Sequence, residues 1–199
     1  MNTDKNIWDD FRKGNKYALS HIYYQNVNLL YRYGLKVTSN RSIIKDTIQD
    51  MFFDLIRTRQ NLGPTDNIRF YLMRSFRRRL VKTIGRVPIA EGAGGDGTQP
   101  VIVYSVEEEF IGRETLTRQE LFIRECLEEL NPRQREILYY RYTCNLSYDE
   151  ICDLMSLKYD SARKLMHRAL ETLKRIAGEN NILNLLVMTF RADNARLRL

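Results

Sequence analysis

The 199-residue sequence predicts an all-α protein: two small helical domains joined by a flexible linker, the second ending in a helix-turn-helix. Three observations predict it. Apolar residues recur at spacings of three and four, the period of a helix with one buried face. A stretch holding Gly92, Gly94, Gly95, Gly97 and Pro100 breaks that period with linker composition. Ser147 and Glu150 form a capping-box pattern that opens a short helix, and only Ser156 to Tyr159 separate it from the next, so the pair must fold back sharply. The domains expected are residues 1–84 and 115–178, with 85–114 as linker and 179–199 as a C-terminal tail.

In the first domain, Ile7, Trp8 and Phe11 are spaced for one helix face, and Ala18, Leu19, Ile22 and Tyr23 for the next. Tyr23, Tyr24, Tyr31 and Tyr33 are expected in the core and at its edge. A third helix covers roughly Ser42 to Arg57, with Ile44, Ile48, Met51, Phe52 and Leu55 inward and Asp46, Gln49, Asp50 and Phe53 on the other side. That outer face is either solvated or an interface for a basic partner. Arg59 to Asp66 reads as a loop from its Gly-Pro pair.

The fourth helix, from about Ile68, holds Arg69, Arg74, Arg77, Arg78, Arg79 and Lys82 with no acidic residue among them, interleaved with Phe70, Tyr71 and Phe76. Guanidinium groups neutralise phosphate and aromatic rings stack on unpaired bases, so the mixture suits a single-strand or fork-binding surface. A basic helix touching acidic protein or membrane has similar composition.

Beyond the glycine-rich stretch, Val101 to Val106 suits a short packed or extended piece, and Glu107, Glu108 and Glu109 form an acidic patch that could mask a basic domain. Helical periodicity resumes near Leu116 and Leu121 and continues through Cys126, Leu127 and Leu130. Asn131 and Pro132 then start a new helix as N-cap and first helical residue, with Arg133 and Arg135 at its phosphate-attracting end. It is expected to run through Ile137, Leu138 and Arg141 toward Ser147. In the last helix Ala162, Leu165, Met166, Ala169 and Leu173 make the core stripe, with Leu170 at its edge. Asp160, Lys164, His167 and Glu171 face away, flanked by Arg163 and Arg168, as on a helix entering a major groove. The same spacing also fits a helical hairpin whose charged face is merely solvated.

Composition narrows the function. A net charge of +7 and a pI near 9.4 suit a polyanionic partner. Cys126, Cys144 and Cys152 are odd in number and lack C-x-x-C spacing, which points to free thiols and a cytoplasmic protein. His21 and His167 stand too far apart for a zinc-ligand pattern, and no metal is expected. Met1 to Lys5 lack the pattern of a secretory signal, and the apolar stretch Asn181 to Phe190 is too short to span a bilayer, so no membrane insertion is expected. No phosphate loop or nucleophile–base pair is recognisable, so neither enzymatic activity nor a cofactor is expected.

The two halves together resemble the bacterial RNA polymerase sigma factors of the extracytoplasmic-function type. Asp46-Thr47-Ile48-Gln49-Asp50-Met51-Phe52 is similar to that family's Asp-x-x-Gln-Glu-x-Phe helix, and Leu130 to Glu136 to its Leu-Pro-x-x-x-Arg-Glu run. Leu146-Ser147-Tyr148-Asp149-Glu150-Ile151 looks like its Leu-Ser-Tyr-x-Glu-Ile-Ala, and Ser161-Ala162-Arg163 with Arg168-Ala169 like its Thr-Val-Lys with Arg-Ala. The resemblance runs roughly from Phe11 to Arg175. Departures are Tyr71-Leu72 where Trp-Leu is usual, Arg77, Arg78 and Arg79 where Asn is usual, Ser156 for Gly and Cys152 for Ala.

The resemblance implies a sigma factor that binds core RNA polymerase and promoter DNA, with room for an anti-sigma factor as a further partner. It implies that Asp46, Gln49, Asp50 and Phe53 face the polymerase, and that Arg69, Tyr71, Arg74, Arg77 and Arg78 lie on the melted −10 element. Ser161, Arg163, Lys164, His167 and Arg168 would then meet the −35 duplex. The alternative is a helix-turn-helix regulator that binds duplex DNA without polymerase.

Overall fold

The computed structural model describes residues 3–85, 122 and 125–178. Every regular element among them is helical. The chain divides into two compact units, Met1–Val101 and Ile102–Leu199. The glycine-rich linker, Val101 to Val106, the Glu107 to Glu109 patch, the helical turns near Leu116 and Leu121, and the apolar tail lie outside the described residues.

In the first unit, α1 (Asp4–Arg12) buries Ile7, Trp8 and Phe11, the face the spacing predicts. Gly14, at φ +94°, turns the chain into α2 (Lys16–Val37), and the Asn15 side chain caps α2 by accepting from the N–H groups of Tyr17 and Ala18. Asn40 caps α3 (Arg41–Thr58) through the Ile43 N–H, and Asn67 caps α4 (Ile68–Ile84) through the Phe70 N–H. Between α3 and α4 the loop opens with a 3-10 turn, Arg59–Asn61. Trp8, Tyr33, Met51, Leu72, Met73 and Phe76 form the centre of the core. α2 and α3 approach closely at Gly34, where an added Cβ would stand 2.6 Å from Ile44 Cγ2.

Two long-range hydrogen bonds seat α1 on the start of α4. The Trp8 indole N–H donates to the Gly63 carbonyl at 2.9 Å, and the Ile68 N–H donates to Asp4 Oδ2 at 3.0 Å. The second satisfies one of the otherwise orphaned amides of the α4 first turn and sets a carboxylate against its positive dipole end.

The tyrosine expectation in α2 needs correction. Tyr33 is fully buried, but Tyr24 is 71% exposed and Tyr23 lies at the surface with its ring against Phe52. The tyrosines follow no single helical face, so α2 turns some of them outward.

In the second unit, a short helical stretch at 125–128 buries Cys126 and Leu127 and precedes α5 (Pro132–Leu138). Asn131 and Gln134 form a reciprocal capping box at 2.9 Å each way. α5 ends at Leu138 instead of running on through Arg141. A π-helical turn, Tyr139–Thr143, follows, closed by the Cys144 N–H donating to the Tyr139 carbonyl at 3.0 Å. Tyr139, Tyr140, Thr143 and Cys144 are all buried along this turn. The Tyr140 hydroxyl, itself buried, donates to Glu136 Oε1 at 2.9 Å.

α6 (Tyr148–Met155) starts at the predicted capping box: the Glu150 N–H donates to Ser147 Oγ, and the Ser147 N–H to Glu150 Oε2. α6 ends at Ser156 in the left-handed region (φ 53°, ψ 48°), and α7 (Tyr159–Ala177) begins after Lys158. Ala162, Met166, Ala169 and Leu173 of α7 are buried as expected, while Leu165 is only half-buried.

Candidate nucleic-acid interfaces

On α7, Ser161, Arg163, Lys164, His167 and Arg168 are all exposed. The core stripe fixes this: with Ala162, Met166 and Ala169 inward, the residues about half a turn away face solvent. Asp160 and Glu171 share the exposed face. His167 Nδ1 lies 3.2 Å from Glu171 Oε2, an exposed contact of small energetic weight that exists as an ion pair only when the imidazole is protonated. The basic field of this face is therefore set by Arg163, Lys164 and Arg168.

The turn that aims α7 is fixed by main-chain geometry. The Ser156 N–H and the Leu157 N–H both donate to the Cys152 carbonyl, the latter at 3.0 Å. Ile151, Leu154 and Met155 of α6 join the core beneath. Burial, followed by the nearby Asp149, raises the pKa of the Cys152 thiol, and burial, followed by Glu125, that of Cys126; both thiols are thereby less nucleophilic than an ordinary cysteine.

A capped helix, a tight turn and a longer helix with an exposed basic face form a helix-turn-helix. Residues 123–173 match the family model for sigma-70, region 4, and this segment is a region of that kind. The resemblance read from Leu130 to Ala169 therefore holds in this unit. No curated protein matches the chain.

The second basic surface is on α4. Arg74 and Arg78 are exposed, one helical turn apart, while Arg69, Tyr71 and Arg77 are half-buried. Arg69 stands roughly 140° around the helix from Arg74, so the five residues do not share one face. The Tyr71 ring packs on Trp8 with centroids 4.8 Å apart. Phe76 is fully buried beside Tyr33 and is a core residue, contrary to its expected place among stacking aromatics. The sequence also concealed a compensating acid: Arg79 Nη1 lies 2.9 Å from Asp54 Oδ2 on α3. Asp54 also pairs with Arg57 at 2.8 Å, and its carboxyl is held below the usual value, first by the hydrogen bond from Arg79. Arg79 therefore ties two helices together.

Asp46, Gln49, Asp50 and Phe53 are all exposed along α3. Phe53 is 66% exposed, a large apolar side chain left in water. With Gln49 it lines a groove of about 840 Å³ between α2 and α3, whose walls include Tyr24, Phe52 and Ile56. Tyr24 and Ile56 were missed in the sequence; their signal was a lack of fit to the core period. Among the described residues no cluster of His, Cys, Asp and Glu has the arrangement of a metal site, and no helix is long and apolar enough to cross a membrane.

Proposed function

We propose that the protein is a sigma factor of the extracytoplasmic-function type: a cytoplasmic, non-catalytic subunit that binds core RNA polymerase, recognises −10 and −35 promoter elements and promotes transcription initiation. The observation that carries the reading is the sigma-70 region 4 match over 123–173, coinciding with a helix-turn-helix whose α7 exposes Arg163, Lys164 and Arg168.

In this reading Ser161, Arg163, Lys164, His167 and Arg168 meet the −35 duplex, some on phosphates and some on base edges. Arg74 and Arg78 engage the DNA backbone near the −10 element, with Arg69, Tyr71 and Arg77 at the margins of that surface. Asp46, Gln49, Asp50 and Phe53 dock on the polymerase. The exposure of Phe53 and the apolar groove it shares with Tyr24 and Ile56 support this role, because an apolar patch beside carboxylates suits a partner with an apolar ridge and basic flanks. The domains would be a polymerase-binding and promoter-melting unit in 1–84 and a −35-binding unit in 115–178.

Transcription by core enzyme on a promoter library, with and without the purified chain, tests the reading; promoter-specific initiation should require the chain. Asp50→Arg should abolish co-purification with core enzyme while leaving the helical circular dichroism unchanged. If the wild-type chain binds duplex DNA but has no affinity for core enzyme, it is a regulator of another kind.

A further inference from the structure

Three side chains form a ladder along the edge where both helices of the helix-turn-helix begin. Arg141, in the π-helical turn, holds its guanidinium carbon 5.4 Å from the centroid of the Tyr148 ring, and its Nη1 donates to the Leu146 carbonyl at 2.8 Å. Tyr148 is the first residue of α6, and its ring meets that of Tyr159, the first residue of α7, at 5.8 Å and 56°. Tyr159 is nevertheless 48% exposed. Its ring is braced by the half-buried Tyr148 ring, so part of its rotamer freedom is already lost before any partner arrives.

Position on the helix says what that ring is for. At 100° per residue Tyr159 lies roughly 60° from Ala162, in the core stripe, and roughly 140° from Lys164, in the middle of the exposed face. It therefore stands at the edge of the DNA-facing surface, on the side toward α6. In helix-turn-helix docking the second helix enters the major groove and the first crosses the sugar-phosphate backbone. A side chain between the two starts meets the strand bordering the groove and not the base edges at its floor. A tyrosine hydroxyl is a neutral donor suited to a phosphate oxygen.

We propose that Tyr159, braced by Tyr148 and Arg141, donates its hydroxyl to a backbone phosphate bordering the major-groove site and so fixes the register of α7 on the duplex. This inference rests on the reading of α7 as a duplex-binding helix. It adds a positioning contact outside the sequence-derived set of Ser161, Arg163, Lys164, His167 and Arg168.

The test uses the full chain and duplexes selected by it from a random pool, with affinities measured by fluorescence anisotropy at one fixed salt concentration. Each phosphate is replaced in turn by a neutral methylphosphonate. Tyr159→Phe keeps the ring and removes the donor, so it should weaken binding roughly ten- to a hundredfold, the range for one hydrogen bond to a charged acceptor. The factor should be the same on the selected and on unrelated duplexes, and the variant should become indifferent to methylphosphonate at one border position where the wild type is sensitive. The contact is overturned if Tyr159→Phe binds like wild type, if its loss is confined to one base pair, or if its methylphosphonate profile is unchanged. A wild-type chain that binds no duplex would overturn the reading of α7 itself, and the contact with it. A thermal melt of the variant separates a lost contact from a lost fold.

Discussion

Ser156 and Asn145 are the two non-glycine residues among those described with left-handed backbone angles, φ 53° and 55°. Asparagine tolerates that region comparatively well, whereas serine pays close to the full steric cost of its Cβ. Ser156 occupies the turn that sets the entry of α7, so its cost falls on the helix-turn-helix itself. Ser156→Gly should raise stability by about 1 kcal/mol, read as an increased denaturation midpoint, since the native angles suit glycine without movement. No gain would mean that the added freedom of the unfolded chain offsets the relieved strain. A second residue-scale test concerns Arg168. If it reads a base, Arg168→Ala should cost roughly 1 to 3 kcal/mol on the preferred duplex and relax preference at one position. Equal loss on all duplexes, with a salt slope lowered by about one, identifies a phosphate contact.

The helices depend on one another through contacts that a linear pattern shows only in part. Capping was legible, because Ser147 with Glu150 and Asn131 with Pro132 are local signals carried by adjacent residues. The core stripe of α7 and the inward face of α3 were legible for the same reason. The π-helical turn was not, because no local signal in Tyr139–Thr143 marks the change from an α-helical hydrogen-bond pattern. Neither was Asp54, which reaches Arg79 across 25 positions of sequence. Phe76 was misjudged: composition places aromatics near arginines but does not say which way each points. The exposure of Ser161, Arg163, Lys164, His167 and Arg168 on α7 was legible because all five lie off a strongly apolar stripe. The α2–α3 groove was not, since its walls come from two helices.

Asp54 supplies the test at this scale. Its folded carboxyl titrates below the ordinary aspartate value, chiefly through the Arg79 hydrogen bond, so the stabilisation is present above that value and is lost as pH falls through the folded one. Denaturation of wild type and Asp54→Asn across an acid pH series should show the difference between them narrowing as pH drops below about 4. A gap that stays constant down to the acid limit would mean that Arg79 contributes nothing ionic to the α3–α4 joint.

At the scale of the whole chain, the net charge of +7 resides in the first unit while Ile102–Leu199 is close to neutral, so the proposed DNA binding would draw its electrolyte dependence from α4 and, locally, from the basic face of α7. The first unit adds a different constraint, through its opening helix. Trp8 reaches Gly63 across 55 positions and the Asp4 carboxylate reaches the Ile68 amide across 64, so α1 has its long-range hydrogen-bonding partners on the far side of most of the unit. Closing so long a loop costs entropy, which the packing of α1 on α2 and the two hydrogen bonds must offset together. The basic helix and its lead-in therefore share their anchor with α1, and the two ends of the unit are held at one seam.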